Sequence, residues 1–454
     1  MRRYIALFFV LLYSILSLGR HYEYRSTAFD LGIYNQAIYQ YATGQGGSNT
    51  LRQVPHLLGD HAEFILFLFA PFYWLFGSYT LLIIQIIAVI VGGYGVHRLS
   101  WLETEDEYLS LAAMLIFFLS FGVISAIIFD FHSNVIGTMF LPWMFAAMKK
   151  NRILSYYVLF ALFLLSKETL AITGIFLGLS VFIAQKDQQL HGLVTMVTSA
   201  AYFWIVFSYI IPHFNGGRPY EHWIYEALGA NFSEAIGHTI RHPFYTALSL
   251  FDHRIKLQAW GMFLACGGLL TFLDLRYALL LIPIVTQKFL TTSQATWSFR
   301  FHYNIELCMV MALALPLVLK RFSSRQRYGT LIFFLTLNTV LLPVLIVLAP
   351  AGVIRGRTPR AELEAVHEAT QLIPREASVS AQDTLVPHLA DRKSIYLFPQ
   401  VNDATYVLLE PDCCSSVEPY HRMADFKKDV DAALQDSDRD VVFHKEGVYL
   451  LKKK

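Results

Sequence analysis

Long apolar runs alternate with short polar stretches over the first three quarters of the chain. A perpendicular helix needs ~20 apolar residues to cross a bilayer, and about eleven runs reach or approach that length. They are residues 4–18, 79–99, 108–128, 134–148, 153–166, 169–185, 192–212, 257–273, 277–290, 304–319 and 328–349. The pattern predicts a mostly α, polytopic transmembrane helical bundle over residues 1–349. It changes at Pro350, and residues 350–454 are charged and soluble in character. There Ala361–Leu372 has helical periodicity. Ala377–Ser380, Ile395–Phe398 and Tyr406–Leu409 read as strands, and Val441–Leu451 reads as a hairpin turning at Lys445-Glu446-Gly447. This tail is expected to be a small α/β domain.

Between the first two spans lies a loop, residues 19–78. Phe29 to Tyr39 reads as a short amphipathic helix, with Ile33, Tyr34, Ala37 and Ile38 at helical spacing and a stop at Gly44-Gln45-Gly46-Gly47. Residues 63–77 are apolar but short, and Pro71 and Gly77 interrupt them. Charge decides their placement. If they lie shallow or re-entrant, Arg2-Arg3, His97-Arg98, Lys149 to Arg152, Lys186, Lys320-Arg321 and Arg325 to Arg327 all share one side. By the positive-inside rule that side is the cytoplasm. If residues 63–77 cross, every later loop inverts and the rule fails. The expected topology is therefore a multi-pass cell-membrane protein with a cytoplasmic N-terminus, an outer loop 19–78 and an extracytoplasmic C-terminal domain. Arg2-Arg3 before an apolar run resembles a signal peptide, but no small-x-small cleavage site follows, which favours an uncleaved anchor.

Composition sharpens this. The chain is 55% hydrophobic and 15% charged, with a mean hydropathy of +0.44, outside the soluble range. A net charge of +2 argues against a nucleic-acid partner. Four cysteines are too few for a disulfide framework. Cys266 and Cys308 sit in apolar helices as packing residues. Cys413 and Cys414 are adjacent, so a bond between them would be strained. No Walker loop, dinucleotide fingerprint, zincin or nucleophile-elbow motif is present.

The side opposite the basic clusters collects acids, bases and ligand types at helix ends. Asp30 opens the first outer helix. It is either a charge favoured by the helix dipole or a general base whose pKa is raised at the lipid–water boundary. Asp60-His61-Ala62-Glu63 is either a helix cap or a second carboxylate with an imidazole for phosphate or metal. In Asp130-Phe131-His132, extended backbone would aim Asp130 and His132 the same way, at a metal-ligand spacing too short to be specific. The alternative is a satisfied polar turn. Lys167-Glu168 lies in apolar surroundings, where charge is expensive and functional by default, unless the two merely pair across a turn. Arg300, His302 and Tyr303 offer donors for a phosphate, or else anchor the interface. Asp60, His61, Asp130 and His132 are thus the candidate ligands for a divalent cation, Mg or Mn.

These motifs, in order, carry a resemblance. Phe29 to Gln36, Leu58-Gly59-Asp60-His61, Ala70 to Tyr73, Phe129 to His132, Ser166-Lys167-Glu168 and His302-Tyr303 resemble a prokaryotic membrane-protein family, domain of unknown function 2079. So do Pro374 to Val379, Pro387-His388-Leu389 and Tyr396 to Pro399 in the tail. After the Asp-His pair that family usually has Ser-Pro following an aromatic, where this chain has Ala62-Glu63-Phe64. The family is similar to GT-C type glycosyltransferases, which use polyprenyl-phosphate sugars. The resemblance implies hexosyl or pentosyl transfer from such a donor to an extracytoplasmic glycan, lipid or protein. Asp30 would act as catalytic base, with Asp60 as second catalytic carboxylate. His61, Asp130, His132, Lys167, Glu168, Arg300, His302 and Tyr303 would bind substrate. The rival reading, a transporter or lipid flippase, would place polar residues near the bilayer midplane and often shows repeats; neither is visible.

Overall fold

The computed structural model describes residues 1–218, 220–348, 358–411 and 423–454. The composition break at Pro350 and the Cys413-Cys414 pair lie outside the described residues. Every apolar run is helical, but not every run is one straight helix. Among the described residues, Arg2–Tyr22, Ile65–Thr104, Lys186–Phe214, His302–Lys320 and Ser324–Ile346 are long and apolar enough to cross a membrane. A sixth crossing is made if Glu107–Leu119 and Phe121–Ile128, bent by 44°, form one span. The bend has a local cause. Asp106 caps the first half, accepting from Leu109 N at 3.0 Å. Ser120 then adopts an extended conformation and turns its hydroxyl back onto Phe117 O at 2.7 Å. The expected span 134–148 is split into Ser133–Thr138 and Leu141–Lys149 around Phe140.

Residues 63–77 form short turns, Ile65–Phe69, Ala70–Phe72 and Tyr73–Phe76, before the straight helix Thr80–Thr104. Pro71 and Gly77, the latter at φ 54°, account for the breaks. One helix, Ile33–Thr43, holds both ends of this segment. Tyr34 Oη donates to Glu63 Oε1 at 3.1 Å, and Asn35 Nδ2 donates to Ser78 O at 3.0 Å. The segment thus returns to the layer it left.

The C-terminal domain is a five-stranded mixed sheet in the order β2-β1-β3-β5-β4, with β1 Val379–Ala381, β2 Ile395–Leu397, β3 Tyr406–Leu409, β4 Arg439–Lys445 and β5 Val448–Lys453. β1 runs parallel to β2 and β3, and the terminal hairpin β4–β5 joins β3 antiparallel. Helix Met423–Leu434 covers one face through Phe426 and Val430. The other face takes in helix Arg360–Gln371 together with Tyr24 and Ala28 of the first loop. Polar contacts tie the domain to that loop. Ala28 N donates to Asp383 Oδ1 at 2.8 Å, Asn35 Nδ2 to Pro387 O at 3.2 Å, and Gln36 Nε2 to Lys393 O at 3.0 Å. The rings of His21 and His388 stack at 3.9 Å. At Gly32 a Cβ would come within 2.9 Å of Val386 Cγ1, so glycine permits the approach.

Candidate active site

Asp30 sits in a single wide turn, Ala28–Gly32, ahead of helix Ile33–Thr43. A helix start leaves N–H groups without intrahelical partners. Here two remote carboxylates supply them. Thr27 N and Oγ1 donate to Asp130 Oδ2 at 2.8 and 3.0 Å, and Ala28 N donates to Asp383. The Asp30 side chain is left 25% exposed, with Oδ1 at 3.0 Å from His132 Nε2. Burial raises the Asp30 carboxyl above the usual range, and the His132 ring offsets part of that shift.

His132 comes from the break between Phe121–Ile128 and Ser133–Thr138. Gln85, buried in helix Thr80–Thr104, fixes that break, donating to Asp130 O at 2.7 Å and accepting from His132 N at 2.9 Å. The His132 ring stacks on His302 with centroids 3.3 Å apart, and Tyr303 lies against His302 at 3.9 Å. Around this stack His132 Nδ1, Ser133 Oγ, Asn134 Oδ1, His302 Nδ1 and Asn304 Oδ1 are buried without a hydrogen-bond partner among the described residues. Buried polar atoms are nearly always satisfied, so these atoms are available to a polar ligand.

A second group adjoins the first. Asp60 Oδ1 accepts from Arg52 Nη2 at 2.9 Å and lies 2.8 Å from His222 Nε2. His61 Nδ1 lies 2.8 Å from Glu168 Oε1, which also accepts from Tyr220 Oη at 3.2 Å. The His61 and His222 rings stack at 4.2 Å. Burial alone would raise Asp60, but the His222 hydrogen bond and the His61, His222 and Arg52 charges outweigh it, and its carboxyl lies well below the ordinary range. Burial works against the Glu168 charge too. His61 and Lys167 overcome it and hold that carboxyl at about 2. Burial and Lys167 work against a charge on His61, yet Glu168 and Asp60 raise its pKa overall. Lys167 Nζ lies 2.9 Å from Glu63 Oε1, and its charge bears on both Asp30 and His61. It is the electrostatic link between the two groups.

The structure thus brings Asp30, His132, His302 and Tyr303 together, and sets Asp60, His61, Lys167 and Glu168 beside them. Arg300 is exposed, next to Phe301, whose ring packs edge-on against Phe129. One alternative falls away and one expectation changes. Lys167 and Glu168 do not pair with each other across their turn; each reaches back to the 61–63 segment. Asp130 and His132 do not aim at one ligand. Asp130 takes φ 44°, which breaks the extended geometry, and its carboxylate is consumed by Thr27 and by buried Arg20, whose Nη1 lies 3.4 Å from Oδ1. Among the described residues, the group whose ligand atoms lie within 4.8 Å of one another is Asp60, His61 and His222, not the set that included Asp130 and His132. His222 and Tyr220 carry no local motif. Both lie in a polar stretch, residues 213–255, that is rich in His, Asn and Gly, and that composition is the signal that could have found them.

An apolar helical bundle, a first loop folded onto it, and a small α/β domain over that loop together define a GT-C-like membrane fold. The whole chain superposes on ArnT from Cupriavidus metallidurans bound to undecaprenyl phosphate, with TM-score 0.57 and 12% identity over 99% of this chain and 97% of that one. The apo state of the same protein gives TM-score 0.52 at 12% identity, covering 98% of both chains. Residues 20–445 match the predicted membrane proteins of DUF2079, and the chain belongs to that family. No curated protein matches the sequence.

Proposed function

We propose that the protein transfers a sugar from a polyprenyl-phosphate donor to an acceptor at the membrane surface where Asp30 lies. The observation that carries this is the Asp30–His132 pair, held at the edge of an apolar bundle whose fold matches, end to end, that of a protein bound to undecaprenyl phosphate. A lipid-linked donor lies in the bilayer with its phosphate at the interface. Asp30 takes the proton of the acceptor hydroxyl as its oxygen bonds the anomeric carbon. The bond from that carbon to the phosphate oxygen breaks, and the lipid phosphate leaves with the electron pair. His302, Lys167 and exposed Arg300 are the donors within this region for the leaving phosphate. His132 keeps Asp30 oriented.

Asp60, His61 and His222 suit a divalent ion by donor type. Asp60 Oδ2 has no hydrogen-bond partner among the described residues, while Arg52 occupies Oδ1. Two imidazoles with one carboxylate favour Zn or Mn over Mg, which prefers oxygen ligands. Bound there, the ion would supply positive charge for a phosphate or acceptor oxygen. On this reading His222→Ala lowers the affinity for Mn or Zn at least tenfold by calorimetry, since loss of even a partner behind a ligand typically costs ~10–100-fold. Equal metal affinity in His222→Ala and wild type would remove the ion from the scheme.

The experiment that tests the function is mass spectrometry of surface glycans and lipid-linked sugars from cells with and without the gene. Deletion should leave one glycan short of a sugar while a polyprenyl-phosphate sugar accumulates; identical profiles would overturn the reading. The basic clusters further support a C-terminal domain on the outer side. An alkaline phosphatase fused after Lys454 should be active and a cytoplasm-only reporter there silent; the reverse pattern would invert the topology.

A further inference from the structure

At the end of the bundle away from Asp30, a cleft of about 420 Å³ is lined by Arg2, Tyr94, His97, Arg98, Trp101, Glu107 and Trp143. Helix Arg2–Tyr22 and helix Thr80–Thr104 form it by running antiparallel. Arg20 and His21 of the first sit near the Asp130 break and Ser78, so Arg2 is at the other end. From Tyr79 to Arg98 the second helix rises about 30 Å at 1.5 Å per residue, close to the thickness of a hydrocarbon core. The cleft therefore lies at the opposite headgroup level.

The cations at this end fall into two sets. Lys149 pairs with Glu103 at 3.2 Å, Arg276 and Arg321 with Asp274 at 3.0 Å each, and Arg327 with Asp106 at 3.3 Å. Arg2, Arg3, Arg98, Lys150 and Arg152 have no carboxylate partner among the described residues, and of these Arg2 and Arg98 line the cleft. The Arg98 guanidinium lies over Trp101 at 5.2 Å, a geometry that leaves its N–H edges free to bind. The one lining acid, Glu107, is engaged by His97 Nε2 at 3.3 Å. The charges of Arg98 and Arg152 bear on nearby Lys150, which extends the positive field.

A stripe on helix Thr80–Thr104 leads into the cleft. Ile87, Val91, Tyr94, Arg98 and Trp101 recur at spacings of three and four, so they share one face. Ile87 and Val91 are exposed, apolar and on the bilayer side of the cations. Trp143 closes the wall, its Nε1 donating to Val91 O at 3.0 Å. An acyl track below, aromatic rings at the interface and two uncompensated guanidiniums above match the parts of a phospholipid in order. We propose that this cleft binds the headgroup phosphate of an anionic phospholipid from the leaflet opposite the Asp30 site. A free phosphate would use the cations but not the exposed apolar stripe. The assignment rests on the membrane fold alone and not on sugar transfer.

The test uses the full chain reconstituted in vesicles of equal phosphatidylglycerol and phosphatidylcholine, then extracted and read by native mass spectrometry. Wild type should retain phosphatidylglycerol in preference. The double variant R2Q/R98Q should lose that preference by roughly thirtyfold, at about 1 kcal/mol per basic residue near an anionic surface. R2K/R98K should keep most of it, and R321Q, whose arginine is paired elsewhere, should match wild type. If R2Q/R98Q fails to insert, Trp101→Ala alone should lower retention in the same direction. Undiminished retention in R2Q/R98Q, or in Trp101→Ala where that variant stands in for it, would overturn the proposal. So would binding of inorganic phosphate that depends on Arg98 without any lipid preference, which would mark a soluble-anion site instead.

Discussion

Asp30→Asn is expected to slow sugar transfer by ~10²–10⁴-fold, the usual cost of losing a general base, while the protein still folds and inserts. The amide is nearly isosteric, and its Oδ1 can accept from His132 Nε2 when that nitrogen carries a proton. The wild-type side chain is partly exposed, so no buried charge is orphaned. Donor binding should barely change, whereas Arg300→Ala and His302→Ala should weaken it, because on the proposed reading their groups hold the leaving phosphate. The pH profile adds a separate check. A base must be deprotonated to act, and burial raises the Asp30 carboxyl above the ordinary value of ~3.9. Activity should therefore rise with pH through a limb above that value, and Asp30→Asn should abolish the limb. Full activity of Asp30→Asn in purified, lipid-reconstituted protein would reduce Asp30 to a helix-end charge and move the search to Asp60.

Asp130→Ala is expected to destabilise the fold by about 3 kcal/mol, the low end of what breaking a buried ion pair costs. It strands the buried Arg20 guanidinium and releases Thr27 from its cap. The value stays low because Ile128 O and Arg25 O still accept from Arg20. The paired change Arg20→Met with Asp130→Leu should recover most of the loss, since apolar replacement of a buried pair is often neutral. Denaturant unfolding in detergent reads both. Wild-type stability in Asp130→Ala, together with lost substrate binding, would return Asp130 to the ligand role its Asp-x-His spacing first suggested.

Asp130 also shows where sequence reading stops. The apolar runs were legible because crossing a bilayer imposes length and composition, and helices Thr80–Thr104 and Ile305–Lys320 start within a residue of the expected spans. Strand Tyr406–Leu409 and the hairpin turn at Lys445 to Gly447 were legible from β-branched and aromatic runs bounded by turn residues. Helix Met423–Leu434 escaped, because its two buried apolar residues, Phe426 and Val430, are too few to set a period. The site residues were visible as ionisable types at helix ends. Their pairing was not. Whether Asp130 faces Thr27 or a ligand depends on one positive φ, and His222 meets Asp60 across 162 residues with no pattern to announce it.

The cap on Ala28 has a consequence in time. The amide beside the earliest carboxylate of the site waits for a partner 355 residues further along the chain. At synthesis rates of ~5–20 residues per second, that interval is roughly 20 to 70 s. For most of it the first loop has Glu63, Ser78 and Asp130 to hold it but not its fastening to the C-terminal domain. On the proposed reading, the turn that carries Asp30 is therefore fully capped only once the last domain has folded down onto it.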